Sequence, residues 1–183
     1  ALGGEMGKAA DATFIQSRIL NRGKGPAVHS LRAQIDRRRY QMEMKHRIEM
    51  QKNLDLRQAE IVSVTQNEDG SVRSVITRGG AEYRCRAAIV CTGTYLKSRI
   101  FVGEFSQESG PDGVFPATEL SKSLAKMGVR LLRFKTGTPP RIHRGSIDFS
   151  QLEEQLGDDV ITPFSFATTG ALSNKVSCYM TYT

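Results

Sequence analysis

The feature that most constrains the fold is a short apolar run without any polar interruption. Residues 87–91 read Ala-Ala-Ile-Val-Cys and are followed directly by Thr92, Gly93 and Thr94. Strands buried on both faces of a parallel sheet lack the alternation of apolar and polar residues that half-exposed strands show. The run therefore predicts an enclosed strand that ends in a glycine turn, where a nucleotide can approach the backbone because glycine has no Cβ.

An antiparallel meander is predicted immediately before this strand. Three strand patterns are separated by an Asp-Gly turn and a Gly-Gly turn, and they cover residues 54–66, 72–77 and 81–86. The alternation in the middle segment is typical of a sheet with one face in water. The meander therefore predicts a small sheet inserted ahead of the enclosed strand.

Upstream of the meander, the spacing predicts one long helix over residues 26–51. Pro26 suits a first helical turn, where its missing N–H is not needed. Apolar residues recur at helical spacing on one face, namely Val28, Leu31, Ile35 and Met42. A helix that leads through a meander into an enclosed strand predicts an α/β fold.

Two basic residues near the start of this helix are candidates for binding an anion. Lys24 lies between two glycines, where a helix N-terminus would offer free N–H groups. The third glycine of the dinucleotide-binding fingerprint is missing, since position 28 is valine. Arg32 shares a helix face with Asp36 and Arg39. The alternatives are a network that ties the helix to the protein and an arginine held near a bound anion.

The second half of the chain has shorter predicted elements. A loop is predicted over residues 103–117, followed by a helix over 118–127 that ends at Gly128. Further elements are expected at 129–134 (strand), 151–156 (helix) and 178–183 (strand).

A double-proline turn separates two cations in this half. Lys135 and Arg141 flank the string Thr-Gly-Thr-Pro-Pro, and each proline fixes its own φ and restricts the residue before it. Two cations in fixed positions are expected to stabilise negative charge on a ligand.

Charge and cysteine content narrow the class of protein. The net charge of +7 and the pI of 9.5 are compatible with an anionic partner such as nucleic acid. Cys85, Cys91 and Cys178 show no C-x-x-C spacing, which predicts buried free thiols in a reducing compartment. The three histidines are scattered, so no metal site is predicted. No apolar run is long enough to cross a bilayer.

Taken in order, the motifs resemble those of the MnmG/GidA family over essentially the whole chain. The strings that carry the resemblance are L-N-x-x-K-G-P-A-V (20–28), L-R-A-Q-x-D-R (31–37), T-G-T-Y-L (92–96), K-T-G-T-P-P-R (135–141), I-D-F-S (147–150), P-F-S-F (163–166) and C-Y-M-T (178–181). The resemblance implies part of a two-dinucleotide-binding-domain (Rossmann-like) FAD domain. Residues 1–104 would belong to that domain, with the meander at about 54–86. Residues 105–183 would form part of an inserted α/β domain and the return to the FAD domain.

The resemblance also implies an activity. Family members are expected to be cytoplasmic homodimers that carry FAD and use NADH as reductant. With the GTPase MnmE, methylene-tetrahydrofolate and glycine or ammonium, they add a carboxymethylaminomethyl or aminomethyl group to C5 of the wobble uridine in tRNA. The glycine-rich FAD loop and the catalytic cysteines are expected outside this chain. It is therefore expected to be an internal fragment without catalytic residues and inactive alone.

The resemblance assigns candidate site residues by position. The expected FAD contacts are Ile61, Thr92, Gly93, Thr94 and Ala117. The candidates for the flavin pocket or the substrate are Lys24, Arg32, Lys135 and Arg141. Two other functions stay open. One is a basic module that binds tRNA or another nucleic acid without catalysis, and the other is a relative of the folate- and FAD-dependent tRNA uridine methyltransferase.

Overall fold

The computed structural model describes residues 3–139 and 141–181, and these form two compact units. The first unit is Ala1–Leu56 with Arg141–Thr183, and the second is Arg57–Pro140. These units do not coincide with the expected boundary at residue 104, which stays a prediction about the family's domains. Parts of two predicted features, Pro140 in the double-proline turn and residues 182–183 of the last strand, lie outside the described residues.

The described chain combines helices with small antiparallel sheets. The helices are α1 (Met6–Thr13), α2 (Arg37–Glu49) and α3 (Thr118–Lys126). The strands are β1 (Phe14–Leu20), β2 (Ser30–Ile35), β3 (Ile61–Gln66), β4 (Val72–Thr77), β5 (Glu82–Arg84), β6 (Arg99–Val102), β7 (Phe105–Glu108), β8 (Glu153–Gln155) and β9 (Cys178–Met180). All the pairs are antiparallel, in the orders β1-β2, β3-β4-β5, β6-β7 and β8-β9.

The first unit corrects the predicted long helix. Residues 26–28 form a single 3-10 turn, residues 30–35 form β2, and α2 begins only at Arg37. The Asp36 carboxylate accepts hydrogen bonds from the backbone N–H groups of Arg38 (3.0 Å) and Arg39 (3.1 Å). Asp36 is therefore the N-cap of α2. The predicted Arg32–Asp36–Arg39 network on one helix face is wrong, because Arg32 lies on a strand.

The outer edge of β1 is sealed by later segments of the chain. Ser17 N donates to Asn174 Oδ1 (2.8 Å), and Ile19 N donates to the Asp158 carboxylate (2.8 Å). Lys175 N donates to Ile15 O (2.8 Å). These bonds satisfy backbone groups that would otherwise be exposed at a free sheet edge. Residues near the start and near the end of the sequence thus form one structural unit.

The second unit is built as the meander pattern predicts. β3, β4 and β5 pair in order, and the predicted turns have glycines at positive φ, Gly70 (+82°) and Gly80 (+85°). α3 covers the sheet through a small core that consists of Val64, Leu120 and Leu124, with Ile61, Val72, Val75, Leu96, Ala117 and Met127 around it. α3 ends at Lys126, and Gly128 follows at φ +89°. The meander, this helix and its glycine stop are confirmed.

Other predicted elements are wrong in the described chain. Residues 87–91 form no strand, and Ile89 is 90% exposed. Residues 54–58 and 129–134 are also irregular. A strand needs neighbours that pair its backbone N–H and C=O groups, and the described residues supply none to these segments.

Two further segments adopt a different element from the predicted one. The loop expected over residues 103–117 begins with the β6–β7 hairpin. The helix expected at 151–156 is replaced by a 3-10 turn and β8, and the Asp148 carboxylate rather than Ser150 provides the cap.

The cysteines are free, as predicted, but they are not buried. Cys91 is exposed, and Cys85 and Cys178 are half-buried. Within residues 3–139 and 141–181, no helix has the length and apolar character needed to cross a bilayer. Across the same residues, no group of three or more metal-ligating side chains comes together.

Candidate functional site

The turn at residues 92–95 and the start of α3 are joined by backbone hydrogen bonds. Tyr95 N donates to Thr92 O (3.0 Å), which closes the turn, and Gly93 within it has φ +52°. Ala117 N donates to Tyr95 O (2.9 Å), and Lys97 N donates to Ala117 O (3.4 Å). Ala117 is also the N-cap residue of α3. The structure therefore brings the predicted contacts at 92–94 and at 117 to one place.

The Tyr95 side chain packs against Gly110, a position that has no room for a Cβ. A Cβ at Gly110 would lie 2.6 Å from Tyr95 Cδ1 and 2.8 Å from Val114 O. Gly110 N donates to Val114 O (2.7 Å), so the glycine backbone is held close to both contacts. The Ser109 hydroxyl donates to Gly110 O (2.8 Å). The tyrosine ring therefore lies directly on main chain, and a side chain at 110 would displace it.

The turn leaves its glycine open to a ligand. A Cβ at Gly93 would contact only Tyr95 Cδ2, at 3.9 Å, and both Gly93 and Thr94 are exposed. This arrangement suits the close approach of a nucleotide to backbone. Ile61, the remaining predicted FAD contact, is half-buried and packs against the same small core as Ala117 and Leu96.

An ion network centred on Arg78 connects the meander to α3. The Arg78 guanidinium donates to both Glu60 carboxylate oxygens, at 2.6 and 2.8 Å, and lies 3.5 Å from a Glu119 oxygen. The hydrogen bonds from Arg78 hold the pKa of Glu60 below its usual value. The same bonds, led by that to Glu60, raise the pKa of Arg78. The network links the start of the meander to the first turn of α3.

Two shallow grooves lie on the second unit, and neither is lined by the predicted FAD contacts. One, of about 450 Å³, runs between β3 and α3 and includes Lys122 and Lys126. The other, of about 550 Å³, is lined by Asn67, Val72, Arg73, Arg84, Cys85 and Arg86. We refer to the second as the arginine groove. The turn at 92–94 is therefore an open surface in this structure, whereas the notable concentration of positive charge lies elsewhere.

The four predicted cationic residues are not gathered into one unit. Lys24, Arg32 and Arg141 belong to the first unit and Lys135 to the second. Lys24 is exposed in a 3-10 turn of three residues, Arg22–Lys24, so the anion-binding helix N-terminus expected there is absent from the described residues. Lys135 and Arg141 are exposed in irregular segments.

Arg32 occupies a partly enclosed position in the first unit. Its NH2 group donates to Gln155 Oε1 (3.4 Å), while its buried Nε has no partner among the described residues. Gln16, 1% exposed, donates to Gln155 O (2.7 Å). Gln16 and Gln155 were not predicted, because a hydrogen bond across 139 positions leaves no local pattern.

Sequence reasoning also missed Tyr95, Gly110 and the arginine groove. Tyr95 lies in the predicted T-G-T-Y-L string, but its contact with Gly110 depends on how a later loop folds back. Arg84 and Arg86 are two residues apart at the end of a predicted strand, which places them on the same side of an extended chain. That spacing was the available signal for the groove.

Comparisons with known proteins cover the whole chain. A family model described as "Glucose inhibited division protein A" matches residues 1–183. The chain is 56% identical over 183 residues to a "tRNA uridine 5-carboxymethylaminomethyl modification enzyme MnmG" of Caldicellulosiruptor saccharolyticus. It is 55% identical over 182 residues to the enzyme of the same name from Clostridium novyi. Each alignment covers 100% of this chain and 29% of the relative.

Solved structures agree with the sequence comparison. Two crystal forms of Aquifex aeolicus GidA match with a TM-score of 0.88, at 41% and 42% identity. The matches cover 97% of this chain and 31% and 30% of those chains. The chain thus spans less than a third of the length of the relatives it matches.

Proposed function

The chain belongs to the glucose-inhibited division protein A family, also called GidA or MnmG, and on this basis we propose that it forms part of an FAD-dependent tRNA-modifying enzyme. The observation that carries the proposal is the match over the whole chain, at 53–56% identity, to enzymes named for the carboxymethylaminomethyl modification of tRNA uridine. The proposed reaction adds a carboxymethylaminomethyl or aminomethyl group to C5 of the wobble uridine. NADH as reductant, the GTPase MnmE as partner, a homodimer and a cytoplasmic location belong to the same proposal.

We propose that the turn at Thr92, Gly93 and Thr94 forms one wall of the FAD site. Its support is the open glycine backbone and the absence, among the described residues, of any contact above Gly93 other than the Tyr95 ring. Ala117 is held beside the turn through its bond to Tyr95 O, and Ile61 packs against the same core as Ala117. FAD would supply the redox chemistry, while these residues position its nucleotide part.

The exposed apolar segments support a proposal about the finer fold. Residues 87–91 and 129–134 carry large apolar side chains in water, including Ile89 at 90% and Phe134 at 83% exposure. Because the chain covers only 29% of the relatives, the rest of such a protein can pair and cover these segments. We propose that residues 87–91 are then an inner strand of a Rossmann-like FAD domain.

The cationic residues have a proposed role at the flavin or the target base. Lys135 and Arg141 are exposed, and neither side chain has a partner among the described residues. A cation beside a developing negative charge stabilises it. Lys24 and Arg32 are assigned to the same pocket. Arg141→Ala in the full-length protein, meaning a polypeptide of the relatives' length that contains this chain, should lower tRNA modification by about 10-fold or more, on the order of one lost charge contact. FAD content should stay unchanged.

The decisive experiment purifies the full-length protein and measures flavin absorbance and activity together. The expected result is a yellow protein that, with MnmE, NADH and the donors, modifies tRNA isolated from a strain lacking the wobble modification. Nucleoside mass spectrometry identifies the product. A colourless protein that cannot be reconstituted with FAD would refute the proposal. A yellow protein that forms 5-methyluridine would instead identify the methyltransferase relative.

A second candidate function is a nucleic-acid-binding module without catalysis. The net charge of +7 and the arginine groove favour it. It predicts tRNA binding by a protein that neither holds FAD nor changes the nucleoside. The experiment above separates it from the enzyme, because binding alone leaves the wobble uridine unmodified.

A further inference from the structure

The arginine groove concentrates positive charge on one end of the meander. Three of its six lining residues are arginines, Arg73, Arg84 and Arg86, and none is acidic. All three are exposed, while Val72 and Cys85 are half-buried. The groove therefore combines exposed cationic side chains with partly buried apolar ones.

The sheet register brings the backbones of these three arginines close together. Cys85 N donates to Arg73 O (3.1 Å), so Cys85 lies opposite Arg73 across the ladder. Arg84 and Arg86 are its sequence neighbours on either side, and consecutive Cα atoms are about 3.8 Å apart. Directly paired residues on antiparallel strands have Cα atoms about 4.5–5.5 Å apart. Three arginine backbones thus lie within a few ångströms of one another, with Arg84 and Arg86 on one face of the strand and Arg73, opposite Cys85, on the other.

The positive charge is not neutralised within the described chain. Arg73 has one acidic neighbour, Glu82, at 3.7 Å, and both side chains are largely exposed. Such an exposed ion pair contributes little to stability, and salt screens the attraction between its charges. Neither Arg84 nor Arg86 has a side-chain partner among the described residues. Holding like charges together costs free energy unless an anion offsets it.

We propose that the arginine groove binds the phosphate backbone of the RNA substrate, an inference that rests on the proposed function. Guanidinium groups bind phosphate oxygens through paired N–H donors and remain charged at every physiological pH. An open groove with several arginines suits a polyanion better than a small ligand, because it offers charge along a surface rather than an enclosed cavity. The groove contributes affinity and orientation, while base recognition belongs to other residues.

The test measures tRNA affinity of the FAD-loaded full-length protein as a function of salt. Each phosphate contact contributes about 0.7–0.9 to the slope of log K against log salt. The double variant Arg84→Ala/Arg86→Ala should reduce that slope by about 1.4–1.8. Between about 50 and 200 mM salt, its affinity should therefore fall roughly 7- to 12-fold less than that of the wild type. Arg84→Lys/Arg86→Lys should keep most of the slope.

A matched control removes the same charge from the other groove. Lys122 and Lys126 are exposed on α3 in the same unit, so Lys122→Ala/Lys126→Ala should leave the slope unchanged. A second measurement follows maleimide labelling of the Cys85 thiol by mass spectrometry, which bound tRNA should slow. Cys178, half-buried in the first unit and outside the groove, is the internal reference.

The possible results separate this proposal from the proposed function. If the full-length protein binds no tRNA, the proposed function fails as well. If it binds tRNA but the arginine variant has the wild-type slope, or the lysine control loses as much, only the groove proposal is overturned. Cys85 labelling that tRNA does not slow, or that is already blocked in the free protein, overturns it too. Flavin content and thermal unfolding of each variant verify that the fold is retained.

Discussion

Replacing Gly110 by alanine should loosen the proposed FAD wall through a single methyl group. Gly110 has φ −78°, which alanine adopts without strain, so the substitution acts only through contacts. In open space, Gly→Ala at a compatible φ stabilises by about 0.4–1 kcal/mol. Here the new Cβ would lie 2.6 Å from Tyr95 Cδ1 and 2.8 Å from Val114 O. Overpacking of this kind costs about 1–3 kcal/mol.

The net loss is therefore about 1–2 kcal/mol, because the entropic gain offsets only part of the clash. The Tyr95 ring must move, and its backbone holds both the turn at Thr92 and the N-cap at Ala117. Hydrogen exchange in the full-length protein can follow this locally. The amides of residues 110–117 should exchange about 5- to 30-fold faster. The dissociation constant for FAD should rise in the same variant.

Gly79→Ala is the matched control. It makes the same substitution in the same unit, but the nearest atom to a Cβ at Gly79 would be the Thr77 hydroxyl oxygen at 3.9 Å, an ordinary van der Waals distance. Exchange and FAD affinity should match the wild type or improve slightly. If the amides of Gly110→Ala prove as protected as those of Gly79→Ala, the ring does not lie on Gly110, and the assignment of the turn to the FAD site loses its structural basis.

Three further perturbations test other parts of the structure. Gly157→Ala should destabilise the first unit by about 1–3 kcal/mol, because a Cβ there would lie 2.3 Å from the Asn174 side-chain nitrogen; unchanged thermal unfolding would contradict this. Asp36→Ala should cost about 0.5–2 kcal/mol and speed amide exchange in the first turn of α2, whereas Asp36→Asn should keep most of the cap. Glu60→Gln tests the hydrogen bonds from Arg78. Because folding lowers the pKa of Glu60, its carboxylate contributes to the free energy of unfolding above the usual pKa of 4.5, and this contribution is lost as the pH falls through the folded pKa. The variant should lose stability at neutral pH and converge with the wild type in acid, and a constant difference across pH would contradict the reasoning.

The parts of the fold that were predictable from sequence have local determinants. The β3–β4–β5 meander follows from turns whose glycines adopt positive φ, and α3 ends where Gly128 does the same. The prediction of one long helix over residues 26–51 fails at β2, and the reason is also local. Leu31, Ala33 and Ile35 fit a two-residue period as well as Leu31 and Ile35 fit a helical one, and the Asp36 cap decides between them.

The remaining features depend on contacts that no short segment encodes. An apolar run such as 87–91 predicts burial, but burial requires neighbouring strands, and none pairs with it in the described chain. The candidate site shows the same limit. The resemblance named Thr92 and Ala117 separately, while the bond that joins their segments runs through Tyr95 O. The proximity of the Arg73 and Arg84 backbones depends on the pairing of β4 with β5.

The outer edge of β1 is hydrogen-bonded by residues that come late in the sequence, and this order has a consequence for biosynthesis. The backbone amide of Ser17 has no hydrogen-bond acceptor until Asn174, 157 positions further along the chain, has been synthesised. At roughly 5–20 residues per second, a ribosome needs about 8–30 s to supply that partner. Throughout this interval the nascent polypeptide presents an unpaired strand that is able to recruit other chains. Production of the protein should therefore depend on chaperone supply and on translation speed between these two positions.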